Sequence, residues 1–117
     1  MTVLDIKNLL DAQLLSGESL LDREVHSACG SDMMSDVLAF VKDQSVLITG
    51  LCNPQVIRTA EMMDIVCLVF VRGKVPDENM LRLAAEREIA VVSTQLPMFT
   101  ACGLLYSAGL RGGASIG

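Results

Sequence analysis

Three short stretches of the chain hold residues whose types and spacing could bind a ligand: Thr49-Gly50 with Asn53, Arg72-Gly73-Lys74, and Ser93-Thr94. Each closes an apolar run. A helix starting at Asn53 and another at Asp77 would aim unpaired backbone N–H groups at the edge where these stretches meet. Arg72 and Lys74 add positive charge there. A phosphate, a nucleotide or a carboxylate suits that combination of open donors and cations. Thr49, Gly50, Asn53, Arg72, Gly73, Lys74 and Thr94 are therefore the candidate ligand-binding residues. The same glycines also permit tight strand-to-helix turns with solvated charges, and spacing alone leaves both readings open. There is no Gly-rich loop ending in Lys and Ser/Thr and no Gly-x-Gly-x-x-Gly, so nucleotide hydrolysis has no support.

Other reactive side chains are dispersed. Cys29, Cys52 and Cys102 fall just beyond strand ends or in following helices, where three thiolates could hold a metal or an iron–sulfur cluster, but their spacing matches no ligand motif. Cys67 sits inside an apolar run and reads as core. The single histidine, His26, neighbours Ser27 and Cys29. On a strand both of those residues face away from it, so a nucleophile–base pair is geometrically poor. Asp32 and Asp36 stack one helical turn apart and read as solvated acids. No catalytic residue, metal ligand or cofactor is assigned.

The elements that must position the candidate residues centre on Ile65-Val66-Cys67-Leu68-Val69-Phe70-Val71, a seven-residue run without a polar side chain. Such a run fits a strand buried on both faces, as in a parallel sheet covered by helices. Val46–Gly50 and Ala90–Thr94 read as flanking strands. Asn53 as N-cap with Pro54 at N1 opens a helix to about Asp64, and Asp77 opens one to Glu88. Pro97 begins a last helix with Met98, Ala101, Cys102 and Leu105 on one side, stopped by Gly109. Successive strand–helix units predict right-handed parallel crossovers, with the ligand edge at the strand carboxyl ends near a topological switch point.

The first third is less regular. Val3, Ile6, Leu9, Leu10 and Leu14 predict a surface helix over 3–14 capped by Thr2, with Leu14-Leu15 able to start a short strand before the Ser16-Gly17-Glu18 turn. A polar connector leads to a strand over 24–29, and Gly30-Ser31-Asp32 leads to a helix over 32–42. The expected fold is α/β: a single three-layer domain with a mainly parallel open sheet flanked by helices. Residues 1–112 form the domain, and 113–117 a flexible tail.

Composition narrows the partners. Of the 117 residues, 51% are hydrophobic and only 20% charged, more apolar surface than one small core absorbs, which predicts a homo-oligomer, dimer or larger. The net charge of −5 comes from residues 1–45, with eight acids against three bases, while residues 46–117 carry six of each. Without a basic stripe or many aromatic rings, nucleic-acid binding is disfavoured, as is an anionic membrane surface. No apolar run approaches the ~20 residues that span a bilayer, and the start lacks signal-peptide features, so a cytoplasmic protein is expected.

A family resemblance runs through the chain. Asp22-Arg23-Glu24-Val25, Ser31-Asp32-Met33-Met34-Ser35-Asp36-Val37-Leu38-Ala39 and Val46-Leu47-Ile48-Thr49-Gly50 resemble the DRTGG domain family. So do Gly73, Pro76-Asp77-Glu78 and the segment Met98 to Gly109. The resemblance covers residues 1–112 and rests on order and spacing. It implies an open α/β sheet similar to the N-terminal domain of bacterial HPr kinase/phosphorylase. It also implies a regulatory or assembly role, since relatives sit beside CBS domain pairs or phosphotransacetylase catalytic domains. Free-standing relatives occur beside iron–sulfur and hydrogenase proteins, which makes an accessory protein of such a system the alternative, with a phosphotransfer-related enzyme as another. No contiguous Asp-Arg-Thr-Gly-Gly string occurs. Relatives tend to carry an Asp-Arg pair after Thr-Gly, where this chain reads Leu51-Cys52-Asn53-Pro54. The expected function is a non-enzymatic regulatory or scaffold domain that senses a small anionic ligand or nucleotide at the strand carboxyl ends, with a protein partner as a further candidate.

Overall fold

A computed structural model describes residues 1–40 and 44–112, and of Phe40 the backbone alone. The elements run α1 (Val3–Leu9), β1 (Gln13–Ser16), β2 (Ser27–Gly30), α2 (Met34–Phe40), β3 (Ser45–Thr49), α3 (Pro54–Met62), β4 (Ile65–Phe70), α4 (Glu78–Glu86), β5 (Ala90–Ser93) and α5 (Met98–Ser107). A single 3-10 turn, Glu18–Leu20, follows β1. The five strands form one sheet in the order β1-β5-β4-β3-β2. β2 through β5 are parallel, and β1 is an antiparallel edge on β5.

The apolar run lies at the centre of that sheet, and no residue of β4 is more than 2% exposed. Three crossovers in succession carry the chain from β2 to β5 without reversing direction. Crossovers of one hand that advance in one direction put their helices on one face. Accordingly Met34, Val37, Val56, Ile57, Met80 and Ala84 from α2, α3 and α4 pack on Leu47, Leu68, Phe70 and Val91. The opposite layer is built by α1 and α5, whose Val3, Ile6, Ala101 and Leu105 meet Val46, Ile48, Val69 and Val92. Alternation along β3, β4 and β5 feeds both layers. At Val66 the alternation slips. Ser45 pairs with Ile65 and Val46 with Cys67, so Val66 is an extra residue and joins Cys67 on the α1/α5 side.

The α/β class and the mainly parallel sheet agree with the sequence reading, while several boundaries differ. The first helix ends at Leu9 rather than residue 14. Asp11 turns left-handed with φ 49°, and Gln13–Ser16 then pairs with β5. Leu14 fits a helical stripe and a strand equally well, and the β5 edge decides between them. The strand expected over 24–29 starts only at Ser27, because Glu24 bridges to Thr2 beside α1. The helix expected from Asp32 begins at Met34, and its expected end at Lys42 lies outside the described residues, as does the 113–117 tail. Leu110 is buried and the Arg111 carbonyl accepts from Ala28 N–H at 2.9 Å, so residues 110–112 close the β2 edge. The parallel strands contain no order reversal, so the expected switch point is absent. A crevice arises differently: α4 descends one face from β4, whereas α5 leaves β5 across the other. Among the described residues no helix is long and apolar enough to cross a membrane.

Candidate ligand site at the strand carboxyl ends

The floor of the crevice is the end of β3. Thr49 is fully buried; its hydroxyl donates to Asp32 Oδ1 at 3.0 Å and accepts from Leu51 N–H at 3.1 Å. Gly50 N–H donates to the same Asp32 oxygen at 2.7 Å. The loop after β2 thus delivers a carboxylate to the β3 end, where it occupies two donors otherwise open to a ligand. The sequence pattern makes Asp32 a helix-cap residue. In the structure its carboxylate turns to Thr49 and Gly50 instead, and just ahead of α2 the Ser31 hydroxyl accepts from Met33 N–H at 3.0 Å. Asp32 Oδ2 has no hydrogen-bond partner among the described residues.

The wall is the turn after β4. Arg72 and Gly73 both have positive φ, 55° and 71°, and Lys74 N–H returns to the Val71 carbonyl at 3.2 Å, as in a tight primed turn. Arg72 N–H donates to the Leu96 carbonyl at 2.9 Å and Gly73 N–H to the Thr94 carbonyl at 2.8 Å. A side chain at Gly73 would stand 2.8 Å from the amide of the exposed Gln95, which can swing aside, so φ rather than space is what favours glycine here. Asp11, Asp64 and Glu88 also have positive φ, but each directly follows a helix cap, the ordinary place for that conformation. Arg72 closes a strand instead. Its exposed guanidinium makes no hydrogen bond or ion pair among the described residues. A Cβ at Gly50 would lie 3.6 Å from Arg72 Nη2 and 3.5 Å from Asp32 Oδ1, so the cation and the carboxylate flank the bare glycine.

The third side is α5. Its N-cap is Pro97, which has no side-chain acceptor, so the N–H groups of Met98, Phe99 and Thr100 lack an intrahelical partner. Asp32, Gly50, Val71, Arg72, Pro97 and Met98 enclose a depression of about 240 Å³. Small-molecule sites are commonly ~300–1,000 Å³, so this one seats a charged group and its immediate neighbours.

The predicted residues separate into two groups. Gly50 and Arg72 line the depression, with Thr49 and Gly73 shaping it. Asn53 and Lys74 stand on the α3/α4 side. Asn53 Oδ1 accepts from Gln55 N–H at 3.0 Å and Asp77 Oδ1 from Met80 N–H at 2.8 Å, so those helix starts, expected to be open, cap themselves. Thr94 is buried, and its hydroxyl donates to the Leu10 carbonyl at 2.8 Å, joining β5 to α1. Sequence reasoning misses Asp32 and the uncapped start of α5 as parts of this site. The second has a signal: Pro97 precedes that helix with no Ser, Thr, Asp or Asn at the cap.

Cys29, Cys52 and Cys102 do not converge on one point. Cys29 and Cys52 pack at the margin of one core layer and Cys102 at the margin of the other. Among the described residues no three His, Cys, Asp or Glu side chains form a metal-binding group. Burial pushes all four thiols up, Cys67 to about 12; at Cys29 the neighbouring Cys102 and Asp36 add to it, and at Cys52 Lys74 opposes it. Ser27 Oγ meets Ser45 Oγ at 2.6 Å in the interior, while His26 is exposed ahead of β2. A groove of about 520 Å³ lies at the opposite end of the sheet, between β1 and α4. Its ionisable lining is Glu18 and Glu88, which suits no anion.

A sequence model of the DRTGG domain matches residues 5–108, nearly the whole chain. The chain belongs to the DRTGG domain family. No curated protein matches it. Among solved structures, this DRTGG domain is similar to the CBS and DRTGG domains of the regulatory region of Clostridium perfringens pyrophosphatase, crystallised with its activator diadenosine tetraphosphate. The TM-score is 0.72 at 19% identity, and the match covers 86% of this chain and 44% of that one. This DRTGG domain therefore spans less than half of the regulatory region it resembles. The likeness fixes the fold; the depression among Asp32, Gly50 and Arg72 is built by this chain's own side chains.

Proposed function

We propose that this DRTGG domain is a non-enzymatic regulatory domain that binds a nucleotide-type ligand in the depression at the strand carboxyl ends. The observation that carries this reading is the pairing, across Gly50, of an Arg72 guanidinium without a partner among the described residues and an Asp32 carboxylate with one free oxygen. Arg72 and the open N–H groups of α5 take a phosphate group. Asp32 Oδ2 takes a donor, as a ribose hydroxyl supplies. A bare inorganic anion would meet repulsion from Asp32, whereas a nucleotide satisfies both charges. The solved regulatory region that this fold resembles was crystallised with a dinucleotide activator, which supports the choice of ligand class.

Thermal-shift measurements with pyrophosphate, ATP and diadenosine tetraphosphate test this reading. Binding to the native state at a hundred times Kd adds about 2.7 kcal/mol, a rise in Tm of several degrees. At least one nucleotide is expected to stabilise the protein more than pyrophosphate does. Asp32→Asn separates the two ligand classes. Asn keeps an oxygen for Thr49 and Gly50, but removes the charge and puts an amide where Oδ2 stood. The variant is expected to weaken nucleotide binding. A gain in affinity for pyrophosphate with no loss for nucleotides would show that the site selects plain anions.

A further inference from the structure

We infer that the outer face of α5 is the surface on which two copies of this chain associate, with the two helices antiparallel about a two-fold axis at Gly103. α5 reads Met-Phe-Thr-Ala-Cys-Gly-Leu-Leu-Tyr-Ser and holds no ionisable side chain apart from Cys102 and Tyr106, whereas α1 to α4 all carry acids or bases. Ala101 and Leu105 supply its buried stripe. The opposite stripe is Phe99, Gly103 and Tyr106. Phe99 is 89% exposed, and Tyr106 is 60% exposed with the Arg111 guanidinium 3.8 Å from its ring centroid. Beyond the Tyr106 hydroxyl only Thr100 and Ser107 are polar on its outer surface, and a helix so nearly apolar all round is built to be covered.

Gly103 supports a helix as the covering partner. Glycine in a helix interior is disfavoured relative to alanine, and here no close internal packing requires it: a Cβ at Gly103 would have no heavy atom within 4 Å. The gap it leaves lies between two projecting rings. An antiparallel copy crossing at Gly103 sets Phe99 of one chain beside Tyr106 of the other, and the reverse. The same surface thus provides both knob and hole, as an isologous contact demands. Charge argues for a second copy too. The molecule carries −5, so like chains repel least across a face without acids; α5 holds none, and the charged group beside it is the Arg111 guanidinium stacked on Tyr106. Scaled by those exposures, two Phe99 and two Tyr106 rings together remove roughly 600 Å² from water at ~200 Å² per full ring. A stable interface needs ~1,200–2,000 Å². α1, packed beside α5 in the same layer, adds the part-exposed Leu4 and Leu9, which still leaves the contact in the small, weak class, a dimer that forms at micromolar concentration and above.

Sedimentation equilibrium of the full chain at about 10–100 µM reads the assembly directly. Twice the 12.6 kDa chain mass is expected. Phe99→Lys alone and Tyr106→Glu alone are expected to sediment as monomers with unchanged circular dichroism, since both side chains are exposed. An equimolar mixture of those two variants is expected to regain the dimer. The antiparallel register sets the introduced lysine against the introduced glutamate in one contact and leaves Phe99 against Tyr106 in the other. Gly103→Gln guards against misfolding as the cause: it improves helix propensity, so it should fold at least as well and still dissociate. A monomeric wild type across that range, a dimer indifferent to all three substitutions, or a mixture that stays monomeric would each overturn the inference.

Discussion

Arg72 is held in a conformation that L side chains avoid, at a cost of roughly 1–2 kcal/mol. Its side chain gains no hydrogen bond or ion pair among the described residues in return; on the proposed function, the strain is kept for the place of the guanidinium at the crevice. Arg72→Gly removes the strain but adds chain entropy to the unfolded state; the net expectation is a gain of about 0.5–1 kcal/mol in urea unfolding. The same variant should lose nucleotide binding. A variant that is less stable and still binds normally would remove Arg72 from the site. Asp5 offers a second residue-scale test. Its carboxyl is held below the ordinary value of 3.8, first by the Thr2 backbone N–H and then by the Thr2 hydroxyl. A depressed folded value contributes stability above the unfolded value and loses it as pH falls through the folded one. Asp5→Asn should therefore lower Tm at pH 7, with the gap to wild type closing at strongly acid pH. A gap that stays constant from pH 7 downward would show that the carboxylate charge plays no part in the capping box.

At the scale of elements, α5 is the helix whose start has been left open. Pro97→Asp supplies the missing acceptor and a negative charge. Caps of that kind contribute about 0.5–2 kcal/mol to a helix, and here the cap would compete with a phosphate for the same N–H groups. Affinity for ATP is expected to fall about tenfold or more, roughly 1.4 kcal/mol, with unchanged affinity placing the phosphate elsewhere. Local signals make most of these elements legible in the sequence. Thr2, Asn53-Pro54, Asp77 and Gly109 act as stops and starts within a few residues of themselves, and the structure uses each of them. The β4 run announces a strand buried on both faces by composition alone. What stays hidden depends on distant partners. Asp32 reaches Gly50 across 18 residues and Thr94 reaches Leu10 across 84. No periodicity encodes such contacts. The length of α1 is hidden for a related reason, since Leu14 satisfies two periods and only pairing with β5 selects one.

At the scale of the molecule, one-directional crossovers stack three helices on one face and leave α1 and α5 on the other. The crevice exists because α5 departs from β5 across the face that α4 does not use. Its position over the β3 and β4 ends brings the loop after β2, the turn after β4 and the start of α5 to one spot. Arg72 is the element of that assembly whose removal leaves the fold intact, because it is exposed and lies past the buried strand. Calorimetric titration of ATP and diadenosine tetraphosphate into the wild type, Arg72→Ala and Arg82→Ala is therefore the most direct measurement. Arg82 is an exposed base on α4, away from the crevice. Wild type and Arg82→Ala are expected to bind alike, with Arg72→Ala weaker by about 1.5–3 kcal/mol, the worth of a charge-assisted hydrogen bond. Equal affinity in all three proteins, or equal losses in both variants, would contradict a ligand site at the strand carboxyl ends.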